Sequence, residues 1–179
     1  MNIEKEYKIL VNQNQFTELL KEFPQATFRK QVNTYYDTLH LDIRKVRGAM
    51  RIREVGNRFL FTLKLHGDQG MEEYETYVKE NSVAALKAPE ICDLLHKISV
   101  TDPIMEITRL TTYRAIIDTG DAELCFDYNE YGGHEDFEIE YEYKRPHEGK
   151  AIFNQILQKV GLTYHKNCPS KIKRALDTL

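Results

Sequence analysis

The sequence predicts an α+β protein: an antiparallel eight-stranded β-barrel with flanking helices. Three observations predict it. Short segments that alternate apolar and polar residues recur along the chain between tight turns. Segments of helical spacing are inserted among them or follow them. No linker, repeat or low-complexity tract divides the 179 residues, so residues 1–179 are expected to form one domain with one core. This many antiparallel strands favours closure, because closure removes exposed edges.

The elements follow in order. Residues 2–11 predict a strand, and Asn12 to Phe23 a helix with Phe16, Leu19 and Leu20 on one side and Pro24 past its end. Residues 30–37 are extended and aromatic, with a short turn or 3₁₀ piece over residues 39–45. Residues 48–55 and 58–66 predict a hairpin turning at Gly56-Asn57, and residues 71–79 another strand after a loop. Asn81 to Ile98 has helical spacing, interrupted at Pro89. A second hairpin joins 104–118 to 121–130 about Gly120, and Gly132-Gly133 turns the chain into 136–143. Helices over roughly 148–160 and 169–178 close the fold.

Composition narrows the class. Hydrophobic content of 41% and charged content of 30% fit a water-soluble globular chain, and a net charge of −3 argues against a general nucleic-acid binder. Cys92, Cys125 and Cys168 are too widely spaced for a CxxC site and are expected as reduced thiols. Met1 leads straight into a charged strand, so no signal peptide is expected. No run of about 18 apolar residues predicts a membrane span. The expected location is therefore cytoplasmic. The six histidines lack HxH or HxxxH spacing, and no P-loop or GxSxG motif occurs.

The charges are sorted. In a strand, residues i, i+2 and i+4 share a face. Glu4, Glu6 and Lys8 therefore project opposite Ile3, Tyr7 and Ile9. Arg51 and Arg53 oppose Met50 and Ile52, and Lys64 shares the polar face of its strand with Thr62. Asp127 and the triple Glu138, Glu140, Glu142 continue the pattern. A half-solvated sheet also alternates. Here, however, like charges follow one another, which is unfavourable unless opposite charge sits between them. If helices cover the apolar faces, the charges face the barrel lumen and need counter-charge, water or ions there. Arg and Lys clusters suit phosphoryl oxygens, and clustered carboxylates suit hard divalent cations. Together they supply the means of phosphoryl transfer.

The ordered set of Glu4-x-Glu6-x-Lys8, Tyr35-Tyr36-Asp37-Thr38, Met50-Arg51-Ile52-Arg53, Thr62-Leu63-Lys64, Asp127, Glu138-Ile139-Glu140 and Ser170-Lys171 resembles the CYTH superfamily of triphosphate tunnel metalloenzymes. The resemblance covers nearly the whole chain. It implies a tunnel whose metal-site acids are Glu4, Glu6, Asp127, Glu138 and Glu140, holding one or two Mg²⁺ or Mn²⁺ ions. It implies a triphosphate grip of Lys8, Arg51, Arg53, Lys64 and Lys171, with Glu4, Glu6 and Lys8 at the chemistry. Lys8 as proton acceptor would need a lowered pKa. A further base is expected from Arg109 or Arg114. Their odd separation keeps both from one face of a regular strand, so a bulge or a split role is needed, and Arg114 is favoured. Glu73 and Glu75 are either inward-facing or a solvated pair. Lys166, Lys173 and Arg174 are taken as a solvated helix face.

The implied activity is metal-dependent hydrolysis of a triphosphate, inorganic triphosphate first and nucleoside or thiamine triphosphate next. The alternatives are a class IV adenylate cyclase, a non-catalytic polyphosphate- or nucleotide-binding module, and a plain structural barrel. Family members occur as monomers and dimers, which leaves a homodimer open.

Overall fold

The computed structural model describes residues 2–68 and 70–179, with the backbone alone described for residues 2–4. Along the chain run β1 (Asn2–Glu4), β2 (Glu6–Val11), α1 (Gln13–Leu20), β3 (Arg29–Thr38), the single-turn α2 (Asp42–Lys45), β4 (Gly48–Val55), β5 (Arg58–Gly67) and β6 (Gly70–Val78). Then come α3 (Pro89–Lys97), β7 (Ile104–Asp118), β8 (Ala122–Tyr131), β9 (His134–Tyr143), α4 (Gly149–Leu157) and α5 (Lys171–Leu176). The fold is α+β, an antiparallel sheet flanked by helices.

The chain forms two compact units. The first holds Gln31–Leu110 together with Asn2 and Ile3, and its strands hydrogen-bond in the order β1-β6-β5-β4-β3, with β7 next to β3. One face of that sheet is apolar. Tyr36, Met50, Ile52, Phe61 and Leu63 are buried there against Ile91 and Leu95 of α3. Asp37 is buried and its carboxylate accepts the N–H groups of Thr38 (2.7 Å), Ile43 (2.9 Å) and Arg44 (3.1 Å), which holds the short turn of α2.

The second unit holds Glu4–Lys30 and Thr111–Leu179, with strand order β7-β8-β9-β2 from the second half of β7. Its apolar face buries Ala115, Leu124, Phe126, Ile139 and Tyr141 beneath Phe16 and Leu19 of α1 and Phe153 and Leu157 of α4. A reciprocal cap starts α1. Asn12 Oδ1 accepts from Gln15 N–H at 2.8 Å, and Gln15 Oε1 accepts from Asn12 N–H at 2.9 Å. Gly149 is required at the start of α4, because a Cβ there would stand 2.3 Å from the Tyr143 ring.

Two elements differ from expectation. The strand over residues 2–11 is broken at Lys5: β1 lies beside β6 and β2 beside β9. The helical spacing of 81–98 yields only a 3₁₀ turn over Ala85–Lys87 and then α3, with Pro89 at its first turn, where a missing N–H costs least. Asn81 has another task. It accepts the Tyr36 hydroxyl at 2.8 Å and donates to Thr34 Oγ1 at 2.8 Å, tying this segment to β3.

Candidate functional site

Register assembles the acids of the second unit. Arg114 pairs with Asp127, and Asp127 with Glu138, on one rung across β7, β8 and β9. On the next rung of the same face Glu140 pairs with Cys125 on one side and Lys8 on the other. Directly paired side chains lie close on a common face, so three carboxylates from two strands converge by construction. Asp127 and Glu138 are 0% exposed and Glu140 5%. One oxygen from each lies within 4.8 Å of the others.

Buried like charges persist only with opposite charge between them. Arg114 supplies a fork to Asp127, Nε to Oδ1 at 2.7 Å and Nη2 to Oδ2 at 2.6 Å, and reaches Glu140 at 2.6 Å. Lys171, from the first turn of α5, places its ammonium among all three acids: 2.9 Å from Asp127, 2.6 Å from Glu138, and bonded to Glu140. Arg174, one turn further on, donates to Glu138 at 2.5 Å and to Asp136 at 2.8 Å. Arg174 is therefore part of the buried array, not a solvated face. The i, i+3 spacing from Lys171 was the available signal.

The approach to α5 is fixed along the free edge of β2. Asn167 accepts Lys8 N–H at 2.9 Å and donates to Glu6 C=O at 3.2 Å, and Cys168 N–H donates to Lys8 C=O at 3.1 Å. Ser170 then caps the helix by accepting Lys173 N–H at 3.3 Å.

The electrostatics follow from burial and pairing. Burial pushes Glu138 up to about 7 against the pull of Lys171, helped by its hydrogen bond to Glu140. Burial also acts on Glu140 and Asp127, but Arg114 and Lys171 outweigh it and hold both below the usual carboxylate range. Lys8 sits 2.5 Å from Glu6. Burial works against its charge, yet Glu6, Glu140 and Glu138 more than offset that, and its pKa is raised.

The remaining candidates fall as follows. Glu6 is half-buried on Lys8, and the side chain of Glu4 lies outside the described residues. Arg109 is paired with Glu106 at 3.0 Å, with 53% of its side chain exposed. The two arginines of β7 thus split by strand parity, and no bulge is needed to separate them. In the first unit, register places Arg51 opposite Thr62 and Arg53 opposite Asn33. Buried Asn33 accepts Arg53 Nε at 3.0 Å. Arg51 buries its own Nε with no hydrogen-bond partner among the described residues. Lys64 lies 3.5 Å from Glu73, and Glu75 accepts the Thr62 hydroxyl at 3.3 Å, so both glutamates share the face of the arginines.

Fold and site together define a class: an antiparallel-sheet protein whose polar strand faces carry interleaved acids and bases. The model of the CYTH domain matches residues 2–176, and the chain belongs to the CYTH domain family. YjbK of Bacillus subtilis (strain 168), provisionally named as a triphosphatase, is 31% identical over 166 residues, covering 89% of this chain and 87% of its own. Among solved structures, a Bacillus halodurans protein provisionally described as an adenylate cyclase shares 29% identity with a TM-score of 0.86, covering 97% of each chain. HpAC1 from Hippeastrum, described with a dominant triphosphatase activity, superposes at a TM-score of 0.80 and 22% identity, covering 96% of this chain and 94% of its own. CYTH proteins are metal-dependent enzymes that act on triphosphates. Among the described residues, no helix is long and apolar enough to cross a membrane.

The donor set fits a hard divalent cation: three buried carboxylates, oxygen ligands only, close enough to share one ion.

Proposed function

We propose that this protein is a divalent-metal-dependent hydrolase of triphosphate compounds, acting first on inorganic triphosphate and next on nucleoside or thiamine triphosphate, with residues 1–179 as one CYTH domain. The observation that carries the reading is the buried triad of Asp127, Glu138 and Glu140 interleaved with Arg114 and Lys171. Asp127, Glu138 and Glu140, with Glu4 and Glu6, hold Mg²⁺ or Mn²⁺. When bound, the ion withdraws charge from the phosphoryl oxygens. Arg51, Arg53 and Lys64 take phosphate oxygens, and Asn33 fixes the Arg53 guanidinium in its plane. The buried Arg51 Nε gains a hydrogen-bond partner when an anion binds there. Lys8, Arg114 and Lys171 offset charge at the acid end. Lys8, paired with Glu6 at 2.5 Å, is assigned a phosphate contact first and a proton-accepting role second.

A second reading, an adenylate cyclase, is favoured by the description of the Bacillus halodurans neighbour. A release screen on tripolyphosphate, ATP and thiamine triphosphate, with and without Mn²⁺ or Mg²⁺, separates the readings. Orthophosphate supports the hydrolase; cyclic AMP with pyrophosphate supports the cyclase. Well-folded protein that releases neither sinks both and leaves a binding module. For the hydrolase, Arg53→Ala is expected to raise KM roughly 10- to 100-fold, the loss of a charged hydrogen bond, with a modest fall in Tm because buried Asn33 loses its donor.

A further inference from the structure

Lys171 is the group on which the acid triad closes. Its ammonium touches oxygens of Asp127, Glu138 and Glu140 together. Those are the same three carboxylates whose oxygens lie within 4.8 Å of one another. Among the described residues no other cation of the array reaches all three; Arg114 contacts Asp127 and Glu140, and Arg174 contacts Glu138. Resting on the proposed metal role, we propose that a divalent cation enters this triad by displacing the Lys171 ammonium, and that the displaced ammonium becomes a contact for the substrate's phosphates.

The physical case is one of exclusion. A divalent ion binds carboxylate oxygen at about 2.0–2.6 Å, close to where Nζ now makes its contacts, and two cations on one set of oxygens repel strongly in a buried site. Lys171 is suited to leave. It stands in the first turn of a six-residue helix on a long flexible stem, so its head can swing without moving the backbone. Arg174 keeps α5 docked meanwhile through Asp136 and Glu138. Once released, a buried ammonium needs a new anion, and a phosphate provides one. Metal and triphosphate uptake are then positively coupled: each relieves a charge that the other leaves unpaired. Metal alone must oppose the existing ion pairs and binds weakly.

Two measurements test this on the full chain. In the wild type, amine-selective acylation read by mass spectrometry should label Lys171 sparsely without metal and several-fold more with Mn²⁺, while exposed Lys173 stays constant. By calorimetry, Lys171→Met should bind Mn²⁺ alone about 5- to 150-fold more tightly than the wild type, the range of an ordinary coupling between sites, and Lys173→Met should match the wild type. If Mn²⁺ binds but leaves Lys171 labelling unchanged, the exchange is overturned while the metal reading stands. If a folded Lys171→Met chain binds Mn²⁺ no tighter than the wild type, the exchange is likewise overturned. Absence of Mn²⁺ binding in every form overturns both.

Discussion

At the scale of single residues, Glu138 carries the sharpest consequence. It is fully buried, contacts Lys171 and Arg174, and still titrates at about 7, because burial and its shared hydrogen bond with Glu140 disfavour a second negative charge. Between the ordinary value of 4.5 and about 7, the folded chain holds a proton that the unfolded chain has released. Stability therefore falls as pH rises through that window, at most about 1.4 kcal/mol per pH unit from this group. Glu140 and Asp127 act oppositely: their depressed values stabilise at neutral pH, and that contribution is lost on acidification below the usual carboxylate range. Glu138→Gln should flatten the decline between about pH 4.5 and 7 in urea titrations run with chelator. An unchanged slope would contradict the assignment. The acids themselves were legible in the sequence, since i, i+2 spacing on a strand fixes a common face. Arg174 was not. A basic residue near a helix end is ordinarily solvated, and only the carboxylates packed beneath this helix make it buried.

Elements show the same division between local and non-local information. Hairpins were legible because Gly56-Asn57 and Gly132-Gly133 demand turns and the strands alternate cleanly around them. The segment 81–88 misled because its apolar spacing is helical, while the Asn81 side chain is committed to Tyr36 and Thr34 across the sheet. Propensity loses to a tertiary bond of that kind. Helix α5 is the element whose placement is most electrostatic. It is short, capped by Ser170, and seated by Lys171 and Arg174 on buried acids. Arg174→Ala leaves Glu138 and Asp136 short of a partner, at a cost of about 3–5 kcal/mol. Hydrogen exchange should then quicken over residues 171–176 well beyond the rest of the chain. Protection that stays at the wild-type level in α5 would show that the guanidinium does not seat the helix.

At the scale of the molecule, two compact units share one chain, and β7 runs through both. Bases proposed for the phosphates, Arg51, Arg53 and Lys64, belong to the first unit, and the acid triad to the second. If 1–179 is one domain, heat should unfold it in a single transition whose calorimetric and van't Hoff enthalpies agree. A ligand that binds only the folded chain stabilises it by about 2.7 kcal/mol at a hundred times its Kd. For a chain of this length each kcal/mol moves Tm by about 2–4 °C, so an imido-bridged triphosphate that resists hydrolysis, given with Mn²⁺, should raise Tm by about 5–10 °C. Arg53→Ala should lose most of that rise, and Mn²⁺ alone should produce little of it, because Lys171 already occupies the carboxylates. Two transitions, of which the ligand moves one, would mean that the units unfold independently and that 1–179 is not one cooperative domain.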